Sequence, residues 1–69
     1  MTVFKLEDKE FIELNKLMKL LGLVYTGGEA NIRITEGEVL VNNQYETQKR
    51  KKLRVGDKIK FNNQEIIIE

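Results

Sequence analysis

The chain has 69 residues, a length that allows one small domain and excludes a multidomain enzyme. It contains no Cys, His, Ser, Trp or Pro, which excludes a disulfide framework, a Cys or His zinc site and a Ser or Cys nucleophile activated by His. Twelve basic and eleven acidic residues give a formal charge of +1, and no apolar stretch reaches membrane-spanning length. We therefore expect a single cytoplasmic domain over residues 1–69, with no metal and no cofactor.

The segment up to Gly22 predicts a short strand and then an amphipathic helix. The side chains of residues 2–6 alternate between two faces and include β-branched and aromatic members, a pattern typical of a strand. We expect this strand to pair at the edge of a sheet or to close it. Residues 14–21 place apolar side chains at the i, i+3, i+4, i+7 spacing of a helix, and Gly22 is suited to end it. The start of the helix has two interpretations, one near residue 9 and one near residue 13 with an extended segment before it.

A second helix is predicted to open at Thr26. Thr26 and Glu29 have the spacing of a capping box, and the helix is expected to run to about Glu36 and to end at Gly37. A phosphate cradle at Thr26-Gly27-Gly28 is the alternative interpretation of the same residues. The segment lacks the Walker lysine, and Glu29 in the first turn repels an anion, so we interpret it as a cap and a turn.

The rest of the chain predicts a meander of short strands. Residues 38–41 and 44–47 flank one Asn-Asn pair, and Lys58–Phe61 and Gln64–Ile68 flank another. Asn tolerates the positive φ that tight hairpins need, so each pair predicts a hairpin turn. With the two helices, this order predicts an α+β fold in which two packed helices cover a small, mainly antiparallel sheet of four to five strands.

The connection between the two hairpins is strongly basic. Residues 49–60 carry seven basic side chains and one acid, whereas residues 1–48 carry five basic and eight acidic ones. Leu53 and Val55 are expected to anchor this connection to the core. An ordinary solvated loop is the bland interpretation. We favour a binding role, because no acids accompany the run and because a phosphate backbone has the charge density that matches it.

Other candidates for nucleic-acid contact lie outside the basic run. Lys16 and Lys19 are three residues apart on the exposed face of the first helix, a placement that solubility alone also explains. Tyr25 and Tyr45 are candidates for stacking on unpaired bases. For both tyrosines we favour burial in the core or at its margin.

The order and spacing of these segments resemble the ribosomal-protein-S-four-type RNA-binding domain, also called the alpha-L motif. The resemblance covers roughly residues 13–61. Small stand-alone bacterial members of the YaaA and YbcJ type look similar over nearly the whole chain. The segments that carry the resemblance are the lysine-bearing first helix, Leu21-Gly22-Leu23, Gly28-Glu29-Ala30, Glu36-Gly37, Val39-Leu40-Val41-Asn42-Asn43 and Leu53-Arg54-Val55-Gly56-Asp57.

The resemblance implies a non-catalytic protein that binds structured RNA, often ribosomal RNA, through the two helices and the following basic segment. Glu13, Gly27 and Asn31 stand where many members of the family are basic, so we expect more of the contact to come from the basic segment. No small-molecule substrate and no membrane contact are expected. The candidate RNA-binding residues are Lys16, Lys19, Arg33, Lys49, Arg50, Lys51, Lys52 and Arg54.

A protein-interaction or ribosome-assembly module is the alternative function. In that case the basic segment meets an acidic protein surface, and a free edge along Gln64–Ile68 pairs with a strand of the partner. The three consecutive isoleucines of that segment indicate either burial or a partner.

Overall fold

The computed structural model covers residues 1–69 and contains two helices and two sheets. In chain order the elements are β1 (Thr2–Phe4), β2 (Ile12–Glu13), α1 (Leu14–Leu20), α2 (Gly27–Thr35), β3 (Val39–Val41), β4 (Gln44–Tyr45), β5 (Lys52–Leu53), β6 (Lys58–Phe61) and β7 (Gln64–Ile68). A five-stranded sheet has the strand order β1-β7-β6-β3-β4, and β2 pairs with β5 in a separate two-stranded sheet. The predicted α+β arrangement of two helices on a mainly antiparallel sheet is confirmed.

The main sheet has one parallel pair at its edge. β1 runs parallel to β7, with Thr2 opposite Ile66 and Phe4 opposite Ile68, so the predicted edge position of the first strand is confirmed. β7 also pairs with β6 on its other side. The prediction of a free edge along Gln64–Ile68 is therefore wrong, because β1 pairs with that edge of β7.

The two hairpins turn on the predicted Asn-Asn pairs. Asn42 and Asn43 have φ values of 53° and 68°, and Asn62 and Asn63 have values of 52° and 64°. Two consecutive residues with positive φ are what a two-residue type I′ hairpin requires. These turns fix the register of β3 with β4 and of β6 with β7.

The helices begin and end close to the predicted residues. α1 follows directly on β2, so the helix starts near residue 13 and the interpretation with a preceding extended segment is the right one. At the start of α2 the Glu29 amide donates to Thr26 Oγ1 at 3.0 Å, while Glu29 Oε1 accepts from the Tyr25 amide at 2.9 Å. The predicted cap is confirmed, with its reciprocal bond one residue earlier than in the standard capping box. Neither helix is long and apolar enough to cross a membrane.

A single apolar core joins both helices to both sheets. It contains no polar or charged side chain. Residues at alternate positions of β3, β6 and β7 face the helices, as the period of a strand requires. The buried side chains are Leu6, Ile12, Leu14, Leu17, Met18, Val24, Ala30, Ile34, Val39, Val41, Leu53, Ile59, Phe61, Ile66 and Ile68.

Three predictions of burial are wrong. Val55 is 69% exposed, because it lies in the turn that follows β5, which leaves Leu53 as the anchor. Tyr25 is 94% exposed in the connection between the helices. Tyr45 is 70% exposed on the edge strand β4, where it lies opposite Leu40 on the face of the sheet that no helix covers.

Candidate nucleic-acid interface

Main-chain hydrogen bonds fix the basic segment, residues 49–54, to the start of α1. The Leu14 amide donates to the Lys51 carbonyl at 2.9 Å, and the Asn15 amide donates to the Lys49 carbonyl at 3.1 Å. The first amides of a helix have no acceptor within the helix, and the N-cap residue Glu13 makes no side-chain cap bond here. The basic segment therefore caps α1 with its own carbonyls, and its backbone cannot move without uncapping the helix.

The two-stranded sheet holds the same segment from its other end. Ile12 pairs with Leu53, both buried, and Glu13 pairs with Lys52. Because successive side chains of a strand point to opposite faces, burial of Leu53 directs Lys52 to solvent. Sequence analysis missed this sheet, since strands of two residues give no periodic signal.

Phe11 contacts two cations of the basic segment. Lys52 Nζ lies 4.9 Å from the centroid of the Phe11 ring, and Arg54 Cζ lies 5.6 Å from it. Both distances are in the range of cation–π attraction. The ring therefore holds an ammonium and a guanidinium close to each other. Phe11 was absent from the predicted site, and the only available signal was an aromatic residue just outside the helical stripe.

The two lysines of α1 lie beside the basic segment. Lys16 lines a surface groove together with Phe11, and it shares an adjoining hollow with Lys19. Phe11 in turn contacts Lys52 and Arg54. The fold therefore brings the lysines of the first helix and the basic segment together, which the sequence alone did not establish.

None of these cations forms an ion pair within the protein. The ion pairs of the chain involve only Arg33 and Lys58 among the basic residues, so no cation of the site has a carboxylate oxygen within 4.0 Å. All of them are exposed except Lys51, which is half-buried. We call this set the basic surface; its members are Lys16, Lys19, Lys49, Arg50, Lys51, Lys52 and Arg54.

Arg33 differs from the other predicted contact residues. Its guanidinium lies 3.3 Å from Glu38 Oε1 and 3.8 Å from Glu29 Oε2. Its charge is therefore balanced by two carboxylates. The role of Arg33 in RNA contact stays a prediction, and it would require these ion pairs to open.

Asn15 links α1 both to α2 and to the basic segment. Its Nδ2 donates to Asn31 Oδ1 at 3.1 Å, which joins α1 to α2, while its amide bonds the carbonyl of Lys49. Asn31 stands where the family resemblance implies a lysine, and here that position serves helix packing.

A side-chain network closes the far end of the basic segment. The Asp57 carboxylate accepts from the Arg54 amide at 2.8 Å and from Asn42 Nδ2 at 3.0 Å. Asn42 Oδ1 in turn accepts from the Lys58 amide at 3.0 Å. The basic segment is therefore tied to α1 at one end and to the β3–β4 hairpin at the other.

Two packed helices, a small mixed sheet and a basic segment fixed to the first helix define the class of protein. The chain matches the family model of the S4 domain over residues 4–69, and it belongs to that family. The resemblance predicted from the sequence is thereby confirmed.

Individual proteins support the same assignment. The chain is 39% identical over 61 residues to "Putative RNA-binding protein YbcJ" of Escherichia coli strain K12, a match that covers 88% of this chain and 87% of YbcJ. It is 38% identical over 54 residues to "Probable ribosome maturation protein RlbA" of Bacillus subtilis strain 168, covering 78% of this chain and 76% of RlbA.

The fold is also similar to a solved structure. The solution structure of E. coli YbcJ, described as having an alfaL motif involved in RNA-binding, superposes with a TM-score of 0.74 at 35% sequence identity. The superposition covers 99% of this chain and 86% of that chain.

Proposed function

We propose that this S4 domain is a non-catalytic protein that binds structured RNA through the basic surface. The observation that carries the proposal is that seven cations without a carboxylate partner lie on α1 and on the basic segment, whose backbones are joined by main-chain hydrogen bonds and by the pairing of β2 with β5. The name of one relative refers to RNA binding, which supports RNA as the partner. The name of the other refers to ribosome maturation, which supports ribosomal RNA as the kind of RNA that is bound.

The side chains of the basic surface suit phosphate contact. Arg50 and Arg54 present planar guanidinium groups that bind a phosphate through two hydrogen bonds, and the lysines act as point charges. An A-form duplex hides its base edges in a deep and narrow groove. Recognition by this surface therefore depends on the shape and the phosphate spacing of the RNA more than on its sequence.

The salt dependence of binding tests the electrostatic part of the proposal. Four to six neutralised phosphates release as many counterions, which gives a log–log slope of about −3.6 to −5.4. Affinity for a blunt RNA duplex, measured by fluorescence anisotropy, should therefore fall about 10²- to 10³-fold between about 50 mM and 200 mM salt. A binding curve that does not move with salt would contradict the proposal.

Charge-neutral variants test the location of the site. Lys49→Gln with Lys52→Gln removes two cations of the basic surface, and we expect binding to weaken at least about tenfold and the salt slope to become shallower by about two. Lys5→Gln with Lys60→Gln is the matched control, because both side chains are exposed, neither is in an ion pair and the change in net charge is the same. Equal losses in the two double variants would place the effect in net charge and not in this surface.

The alternative of a protein-interaction module loses one of its two supports. β7 is bonded on both sides within the sheet, so it offers no edge to a partner strand. The remaining support is the basic surface itself, for which an acidic protein is the competing partner. Co-purification of RNA with the untreated protein, followed by the ratio of absorbance at 260 nm to that at 280 nm, separates the two, since an acidic protein partner leaves no nucleic acid bound.

A further inference from the structure

A groove with apolar and basic walls lies next to the basic surface. It lies between α1 and the residues that precede it, and it is lined by Lys9, Phe11, Ile12, Glu13, Lys16 and Leu20. A second hollow, lined by Lys16, Lys19 and Leu20, continues it toward the end of the helix. The two share Lys16 and Leu20, so together they form one concave strip.

The apolar part of the groove is presented to solvent. Leu20 is 68% exposed although it lies in a helix whose other leucines are fully buried. A single exposed leucine is ordinary on a protein surface. Here it lines the same groove as Phe11, whose ring is half-buried, so the two side chains give the groove an apolar patch.

Cations surround that patch. Lys9, Lys16 and Lys19 line the groove and its continuation, and Lys52 and Arg54 sit at the Phe11 ring. None of these five has a carboxylate oxygen within 4.0 Å. The one acid in the lining is Glu13. The groove therefore suits a ligand that is apolar on its face and carries negative charges on either side.

We propose that the groove binds one unpaired nucleobase that projects from the structured RNA held by the basic surface. The base packs against Leu20 and Phe11, and the phosphates on either side of it meet Lys16 and Lys19. A nucleotide combines an apolar ring face with flanking phosphates, which is the complement of the groove. This inference rests on the proposed function, because the duplex on the basic surface delivers the base to the groove.

A pair of RNA duplexes tests the inference. One is blunt and fully paired, and the other has the same sequence with one unpaired adenosine in one strand. We expect the wild-type protein to bind the bulged duplex about tenfold more tightly, a preference within the range for one base that stacks on a protein side chain. Equal affinity for the two duplexes would overturn the inference while leaving the proposed function intact, whereas failure to bind either duplex would overturn the proposed function.

Variants at Leu20 assign the preference to the groove. Leu20→Ala should abolish the preference and leave affinity for the blunt duplex unchanged, and Leu20→Met should retain it. Ile32→Ala is the matched control, because Ile32 is also an exposed apolar residue of a helix, at 56%, but does not line the groove. If Leu20→Ala still prefers the bulged duplex to the blunt one, the inference is overturned. It is also overturned if the wild-type protein shows no such preference and instead binds an acidic, leucine-containing peptide tightly.

Discussion

At the scale of single residues, Phe11 and Glu13 have opposite effects on the basic surface. Phe11 attracts Lys52 and Arg54 to its ring and so reduces their freedom before RNA arrives. Glu13 lines the same groove and pairs in register with Lys52, where its negative charge lowers the local positive potential. Glu13 also belongs to β2 and is the N-cap residue of α1, so it has a structural role as well.

Phe11→Leu should weaken RNA binding without unfolding the domain. Leucine keeps an apolar side chain at a half-buried position, but it removes the ring at which the two cations lie. Without the ring the two side chains have to be ordered on binding, which costs about 1 kcal/mol of binding free energy, or roughly fivefold in Kd. Titration of a blunt RNA duplex measures this change. Phe11→Tyr keeps the ring and should bind like the wild type; an equal loss in both variants would contradict the role of the ring.

Glu13→Gln should strengthen RNA binding and weaken the fold. The substitution removes the only acid of the groove lining, and we expect Kd to fall about two- to threefold at low salt. Glu13 is also the N-cap residue of α1, where a negative charge interacts favourably with the helix dipole. Its loss should lower the free energy of unfolding by about 0.5 kcal/mol. Urea denaturation and duplex titration on the same sample separate the two effects. A Kd that does not fall, or a free energy of unfolding that does not fall, would contradict this explanation.

At the scale of elements, α1 depends on a segment that lies far from it in sequence. Its N-cap side chain makes no capping bond, and the carbonyls of Lys49 and Lys51 accept from the Asn15 and Leu14 amides instead. α2, by contrast, has a local cap at Thr26. This difference explains why the start of α2 could be predicted from a motif and the start of α1 had two interpretations.

Hydrogen exchange should show this non-local cap directly. The Leu14 and Asn15 amides should exchange slowly for the first turn of a helix, whereas the Gly27 and Gly28 amides at the start of α2 have no protein acceptor and should exchange fast. Leu53→Val shortens the buried anchor of β5 at a cost of about 1 kcal/mol. It should raise exchange at Leu14 and Asn15 more than at amides in the middle of α2. Uniform acceleration across both helices would argue against a local attachment.

At the scale of the whole molecule, a net charge of +1 conceals a strongly polarised surface. The acids of the chain lie mainly in residues 1–48, whereas the folded structure gathers Lys16 and Lys19 beside the basic segment. Cations that are close together without partners repel one another, and that repulsion destabilises the unbound fold. The same arrangement that favours an anionic partner therefore opposes stability in its absence.

Salt should change stability and RNA binding in opposite directions. Screening of the clustered cations should raise the thermal midpoint Tm of the free protein by about 2–4 °C on going from low to moderate NaCl, while RNA affinity falls. Salt also screens the ion pairs of Arg33 and Lys58, which would lower Tm, but these pairs are partly exposed and contribute little to stability. Lys49→Gln with Lys52→Gln should raise Tm at low salt and reduce its dependence on salt. A Tm that falls with salt in the wild type would show that attraction, and not repulsion, dominates the surface.

The sequence by itself determined those features whose cause is local. Hairpins with Asn-Asn turns, the Thr26 cap, the apolar stripe of α1 and the basic run all follow from residues a few positions apart, and their order carried the family resemblance. Only the tertiary structure decided what depends on contacts between distant segments: the pairing of β2 with β5, the capping of α1 by the basic segment, the ring of Phe11 under two cations, and β1 covering the edge of β7. A strand of two residues, or a helix cap supplied by a remote carbonyl, gives no periodic pattern in the sequence. The free energy that stabilises it comes from a partner segment far away in the chain.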